Sequence, residues 1–177
     1  VEYTNKLVKL MRNILTFHIG QPREDKDILS VTPIIDGKML SDSVHFYERS
    51  NEFDLAGSYG GLIPDFFDYG PLDRYFLGQA ASTYWKNLGG IYVLGCQCGE
   101  VGCWPLVCKV SVTENDVTWS HFKQPFRRTR DYSRFGPFVF CKTDYEVTVR
   151  ELSATIEHGV LSPNLDQGSA LDPPKAG

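Results

Sequence analysis

Leu15, Phe17 and Ile19 alternate with Thr16 and His18, the period of two that turns one face of a strand toward a core. After a polar connection, residues 28–35 (ILSVTPII) read as a second strand, in which Pro33 points to an edge position or a bulge. Asp36-Gly37, between Ile34-Ile35 and Met39-Leu40, predicts a tight hairpin turn, because both central residues of that turn need positive φ. Ser41 is placed to cap a short helix over about residues 42–52, with Val44 and Tyr47 inward and Glu48 and Arg49 outward. Tyr3, Leu7, Leu10 and Ile14 fit a helical stripe at the start of the chain, although Leu7 and Lys9 also fit alternation.

Residues 54–79 hold no sustained period. Glycines and prolines break them while their aromatics demand burial, which predicts a long packed loop. Strand patterns return from residue 90. Leu106, Cys108, Val110 and Val112 share one face of a strand, and Glu114-Asn115-Asp116 turns the chain. Val117, Trp119 and His121 then share one face of the next strand, and residues 136–141 (GPFVFC) make another. Thr143-x-x-Glu146 has the form of a capping box for a helix over about residues 143–158. Its stripe is Tyr145, Val149, Leu152 and Ile156, and Gly159 suits its C-terminal end. The pattern predicts a single α+β domain over residues 1–158, mostly antiparallel sheet, followed by an extended or disordered tail over 159–177.

The chain has 177 residues, the length of one domain, and its 42% apolar and 23% charged residues are ordinary for a globular protein. A net charge of −4 points away from a nucleic-acid partner, and no apolar run reaches the ~20 residues of a membrane span. Five cysteines is an odd number, and no secretion signal opens the sequence, so the expected setting is a reducing cytoplasm.

Residues 95–105, GCQCGEVGCWP, carry the densest chemistry. Cys96, Cys98 and Cys103 supply three of the four ligands of a tetrahedral zinc site, and glycines let the backbone fold tightly around an ion. Cys108 and Cys141 fall at core-like strand positions, which leaves His121 as the candidate fourth ligand. No cofactor other than zinc is implied. A reactive thiol would want a cationic neighbour, yet no Lys or Arg lies between Gly95 and Val107, and Glu100 acts against it. The third reading is a β-connection whose cysteines pack against Trp104.

Residues 124–135, QPFRRTRDYSRF, interleave arginines with aromatics, the residue types that anchor protein interfaces. Trp104, Phe126, Arg127, Arg128, Arg130 and Tyr132 are therefore the candidate contacts for a protein partner. Asp65, Asp68 and Asp73 read as turn formers. There is no phosphate loop, no G-x-S-x-G and no H-E-x-x-H, which points away from an enzyme. The expected function is a non-catalytic binding module built on the cysteine and arginine loops. Structural zinc binding and thiol redox chemistry are the alternatives.

LGCQCGEVGCWPL (94–106), VTWSHFKQPFR (117–127) and the glycine-proline-phenylalanine run at 136–138 resemble an uncharacterised family of bacterial proteins. AGSYGGL (56–62) and GPLDRYFLG (70–78) extend the likeness. The resemblance implies that Cys96, Cys98 and Cys103 belong together, and it carries no activity. Where it leads one to expect Pro-His-Arg, this chain has Pro125-Phe126-Arg127, which removes a candidate ligand.

Overall fold

The computed structural model describes residues 12–22, 28–82 and 89–158, so Tyr3, Leu7 and Leu10 of the N-terminal stripe, Gly159 and the expected tail lie outside the described residues, while Ile14 is exposed. Within them the chain is a single α+β domain. Strands β1 (Leu15–Gly20), β2 (Ser30–Ile35) and β3 (Lys38–Met39) form one antiparallel sheet in that order. Strands β4 (Tyr59–Gly60), β5 (Ile91–Cys96), β6 (Leu106–Val112), β7 (Asp116–Lys123) and β8 (Phe138–Cys141) form a second, in which each strand pairs antiparallel with the next. The sheets meet where Val31 and Leu62 exchange backbone hydrogen bonds of 2.7 and 2.9 Å.

The Asp36-Gly37 turn forms as expected, with φ of 52° and 78°. Pro33 lies inside β2, on the middle strand of its sheet, rather than on an edge. It is tolerated because β3 pairs only with Ile34 and Ile35, and the next backbone partner on that side is Leu62 opposite Val31. Proline thus fills a gap in the ladder where no N–H is needed.

Helix α1 (Leu40–Ser50) has Met39 at its N-cap, two residues before Ser41, and no side-chain cap. Its buried stripe is Leu40, Val44 and Glu48. Glu48, expected on the outer face, is fully buried. Helix α3 (Lys142–Glu157) likewise has its N-cap, Cys141, two residues before Thr143, and no side-chain cap. Between them, the glycine-rich segment contains the short helix α2 (Leu72–Tyr75), which packs on α3.

The core is aromatic. Trp119 is fully buried, stacked on Phe76 at 6.0 Å and edge-on to Phe140 at 5.5 Å. Its indole N–H donates to Tyr145 Oη at 2.9 Å, and Tyr145 donates onward to the Phe76 carbonyl at 2.6 Å. Tyr75 Oη accepts from the Tyr92 N–H at 2.8 Å and donates to the Tyr92 carbonyl at 3.0 Å. The hydroxyls of Tyr75 and Tyr145 are both satisfied, so these two rings enter the core without stranding their polar ends. Asp68 and Asp73 make the expected local bonds, Asp68 accepting from Gly70 N–H at 2.9 Å and Asp73 from Arg74 N–H at 2.8 Å, whereas Asp65 accepts from the distant Leu29 N–H at 3.5 Å.

Candidate metal centre and its supporting loop

The cysteine stretch joins β5 to β6 through two successive turns. Gly99 N–H donates to the Cys96 carbonyl at 2.9 Å, and Cys103 N–H to the Glu100 carbonyl at 3.1 Å. Gly99 adopts φ of 93°, a left-handed conformation that a side chain would resist. The Glu100 carboxylate accepts from Gly102 N–H at 3.1 Å and closes the second turn. Folding this way converges Cys96, Cys98 and Cys103, whose Sγ atoms all lie within 4.8 Å of one another. Cys96 is buried, while Cys98 and Cys103 are exposed.

An ion bonded to three sulfurs at ~2.3 Å in tetrahedral geometry would set them ~3.8 Å apart. The observed spacing therefore needs a closure of no more than about 1 Å, within reach of side-chain rotation. The thiols also act on each other. Burial, then hydrogen bonding to Cys98, pushes the Cys96 thiol up to about 12. Hydrogen bonding from Cys96, then from the Glu100 N–H, lowers the Cys98 thiol. A divalent cation would replace this proton sharing by thiolate coordination at all three.

The other two cysteines stand apart from this cluster. Cys108 is fully buried on β6, and Cys141 ends β8. His121 does not join it either. Three residues of β6, Val107 to Lys109, face four of β7, Ser120 to Lys123. This bulge holds His121 at φ of 53°, exposed, with its Nδ1 2.9 Å from Ser120 Oγ. The expected inward run of Val117, Trp119 and His121 thus breaks at the third member, and Phe122 takes the buried place. Among the described residues the cluster has three ligands.

The arginine loop packs directly on the cysteine loop. The Arg127 guanidinium lies 3.5 Å from the centre of the Trp104 ring, on the residue after Cys103. Arg130 approaches the same ring at 5.2 Å and Phe53 at 5.4 Å. Beneath them sits the group that the sequence pattern hid. Glu48 Oε1 accepts from Tyr59 Oη at 2.6 Å and from Tyr132 Oη, and it pairs with Arg130 Nη1 at 3.0 Å. Its Oε2 accepts from Gly57 N–H at 2.7 Å. Gly57 reaches that position at φ of 85°, where a Cβ would stand 2.2 Å from His45 Nδ1. Arg130 Nη2 donates to the Asp54 carbonyl, and Tyr47 Oη to the Asp131 carbonyl at 2.9 Å.

Electrostatically the clasp is consistent. Burial lowers the Arg130 guanidinium, but Tyr132 and Glu48 together raise it further, so it stays charged. Burial and then the bond to Glu48 raise the Tyr59 phenol and push Tyr132 up to about 12, so both remain donors. One carboxylate thus binds α1, the segment before β4 and the arginine loop together. A clue was present: Leu40, Val44 and Glu48 are four residues apart, which puts the acid on the core stripe.

Of the candidate contact residues, Trp104 and Tyr132 are buried and the Arg130 side chain is 6% exposed. They hold the loop from below. Phe126, 58% exposed, Arg127 and Arg128 face outward. No helix of the described residues is long and apolar enough to cross a membrane. No protein-family model, curated protein or solved structure matches the chain, so its function is read from this geometry alone.

Proposed function

We propose that the chain is a non-catalytic binding module organised around a thiolate metal centre. Cys96, Cys98 and Cys103 hold one zinc-class ion, and the ion fixes the loop against which Phe126, Arg127 and Arg128 are displayed to a protein partner. The observation that carries this reading is the convergence of three sulfurs within 4.8 Å. Soft thiolates favour zinc, copper(I) and iron–sulfur chemistry, and a single ion of zinc type suits a loop closed by ordinary turns. Bringing two of the sulfurs to the ~2.05 Å of a disulfide would demand a larger shift than metal binding does. All five cysteines are free thiols, and a reducing compartment such as the cytoplasm is part of the proposal. The likeness to an uncharacterised bacterial family adds the expectation that these three cysteines act as a set.

The test is calorimetric titration of reduced, metal-free protein with Zn²⁺. The expected result is one ion per chain, with binding lost in a C98S/C103S variant that keeps its far-UV circular dichroism. Equal binding by wild type and variant would refute the ligand set. Thiol redox chemistry is the second reading, favoured by the exposure and lowered thiol of Cys98. Under it, metal-free protein would be oxidised by dilute peroxide to one intramolecular disulfide far faster than free cysteine reacts.

A further inference from the structure

The metal centre proposed above has an unfilled coordination position, and what surrounds it defines a ligand. Tetrahedral zinc needs four donors, and the described residues bring three to the cluster. Two of the three, Cys98 and Cys103, are exposed, so an ion held by them would sit at the surface, within reach of solvent. This is the arrangement of a site that exchanges its fourth ligand, in contrast to a closed structural site.

Two further groups come from the arginine loop, which packs on the cysteine loop through Trp104. Arg127 is held flat over the ring of Trp104, the residue after Cys103, and its guanidinium makes no ion pair with a described carboxylate. Arg128 follows it, exposed. Glu100, the acid within the loop, is turned to the Gly102 N–H. The Trp104 indole N–H is buried and has no hydrogen-bond partner among the described residues. An ion softened by three thiolates prefers a fourth sulfur, and an unpaired guanidinium prefers a carboxylate.

We infer that the open position takes a small thiol carrying a carboxylate, its sulfur bound to the metal and its carboxylate to Arg127. The inference rests on the metal-centre reading, and the two fail separately. Binding is a ligand exchange: the thiol loses its proton to solvent as its sulfur displaces metal-bound water, and nothing is oxidised or reduced. Arg127 supplies the specificity for the acid, and the three cysteines supply the affinity for sulfur.

The experiment uses the full chain loaded with Co²⁺, whose visible and charge-transfer bands report the number of bound thiolates. If Co²⁺ produces no thiolate band, the metal centre itself is refuted. If it does, 3-mercaptopropionate and its neutral amide are each titrated into the loaded protein. The expected result is a new saturable thiolate band with both, and roughly fivefold tighter binding of the acid, the scale of one exposed ion pair. In R127Q, checked for folding by circular dichroism, that preference disappears. No spectral change, equal affinities in the wild type, or loss of cobalt to the added thiol would each overturn the inference while leaving the three-cysteine centre standing.

Discussion

Removing the Glu48 carboxylate is the sharpest perturbation of the architecture that supports the candidate site. In Glu48→Ala, the Arg130 guanidinium loses its counter-charge in a buried setting, where the glutamate is 0% and the arginine 6% exposed. Tyr59, Tyr132 and the Gly57 N–H lose their acceptor at the same moment. Breaking a buried ion pair by deleting one partner costs about 3–5 kcal/mol, a large share of the 5–15 kcal/mol that typically holds a domain folded. With a urea slope near 2 kcal/mol per molar, the unfolding midpoint should fall by about 2 M. Trypsin cleavage after Arg127, Arg128 and Arg130 should accelerate as the loop comes loose. Glu48→Met combined with Arg130→Met should recover much of the loss, because both charges leave together and the two phenols, 3.3 Å apart, can bond each other. A midpoint change below about 0.5 M in Glu48→Ala, or a double variant no better than the single, would refute the clasp.

Further expectations concern the core and the thiols. Trp119→Ala should cost about 3–5 kcal/mol in urea unfolding, since the ring is fully enclosed by Phe76, Phe140 and Tyr145. Tyr145→Phe keeps the ring but strands the Trp119 N–H, and should cost about 1–3 kcal/mol with little change in near-UV circular dichroism. Gly90→Ala should lower the unfolding midpoint, because its Cβ would stand 2.2 Å from the Cys108 carbonyl oxygen; a neutral result would show that the backbone yields there. In metal-free native protein, iodoacetamide should label Cys98 and Cys103 first and Cys108 only on unfolding, read by peptide mass spectrometry.

Periodicity carried most of the fold. The strands around the Asp36-Gly37 turn, the run from residue 91 to 141 and the C-terminal helix all follow from patterns of two and of three to four. Capping failed at both long helices, because each began before the residue expected to cap it and propensity signals say little about a terminus set by packing. Strict alternation puts His121 inward, but one extra residue in a strand reverses every side chain beyond it, and nothing in VTWSHFK marks the bulge. A local pattern turns Glu48 outward because charge normally excludes burial, whereas its partners lie 9 to 84 residues away. The convergence of the three cysteines was legible in their spacing. The stacking of Arg127 on Trp104, which ties the two loops together, was not.

Metal content and thiol accessibility of the protein purified without chelator test the central claim most directly. The account predicts near one zinc-class ion per chain, with three thiols protected until a chelator is added and mass spectrometry assigning them to Cys96, Cys98 and Cys103. Metal-free protein that also fails to take up Zn²⁺, with Cys98 and Cys103 freely reactive throughout, would contradict it.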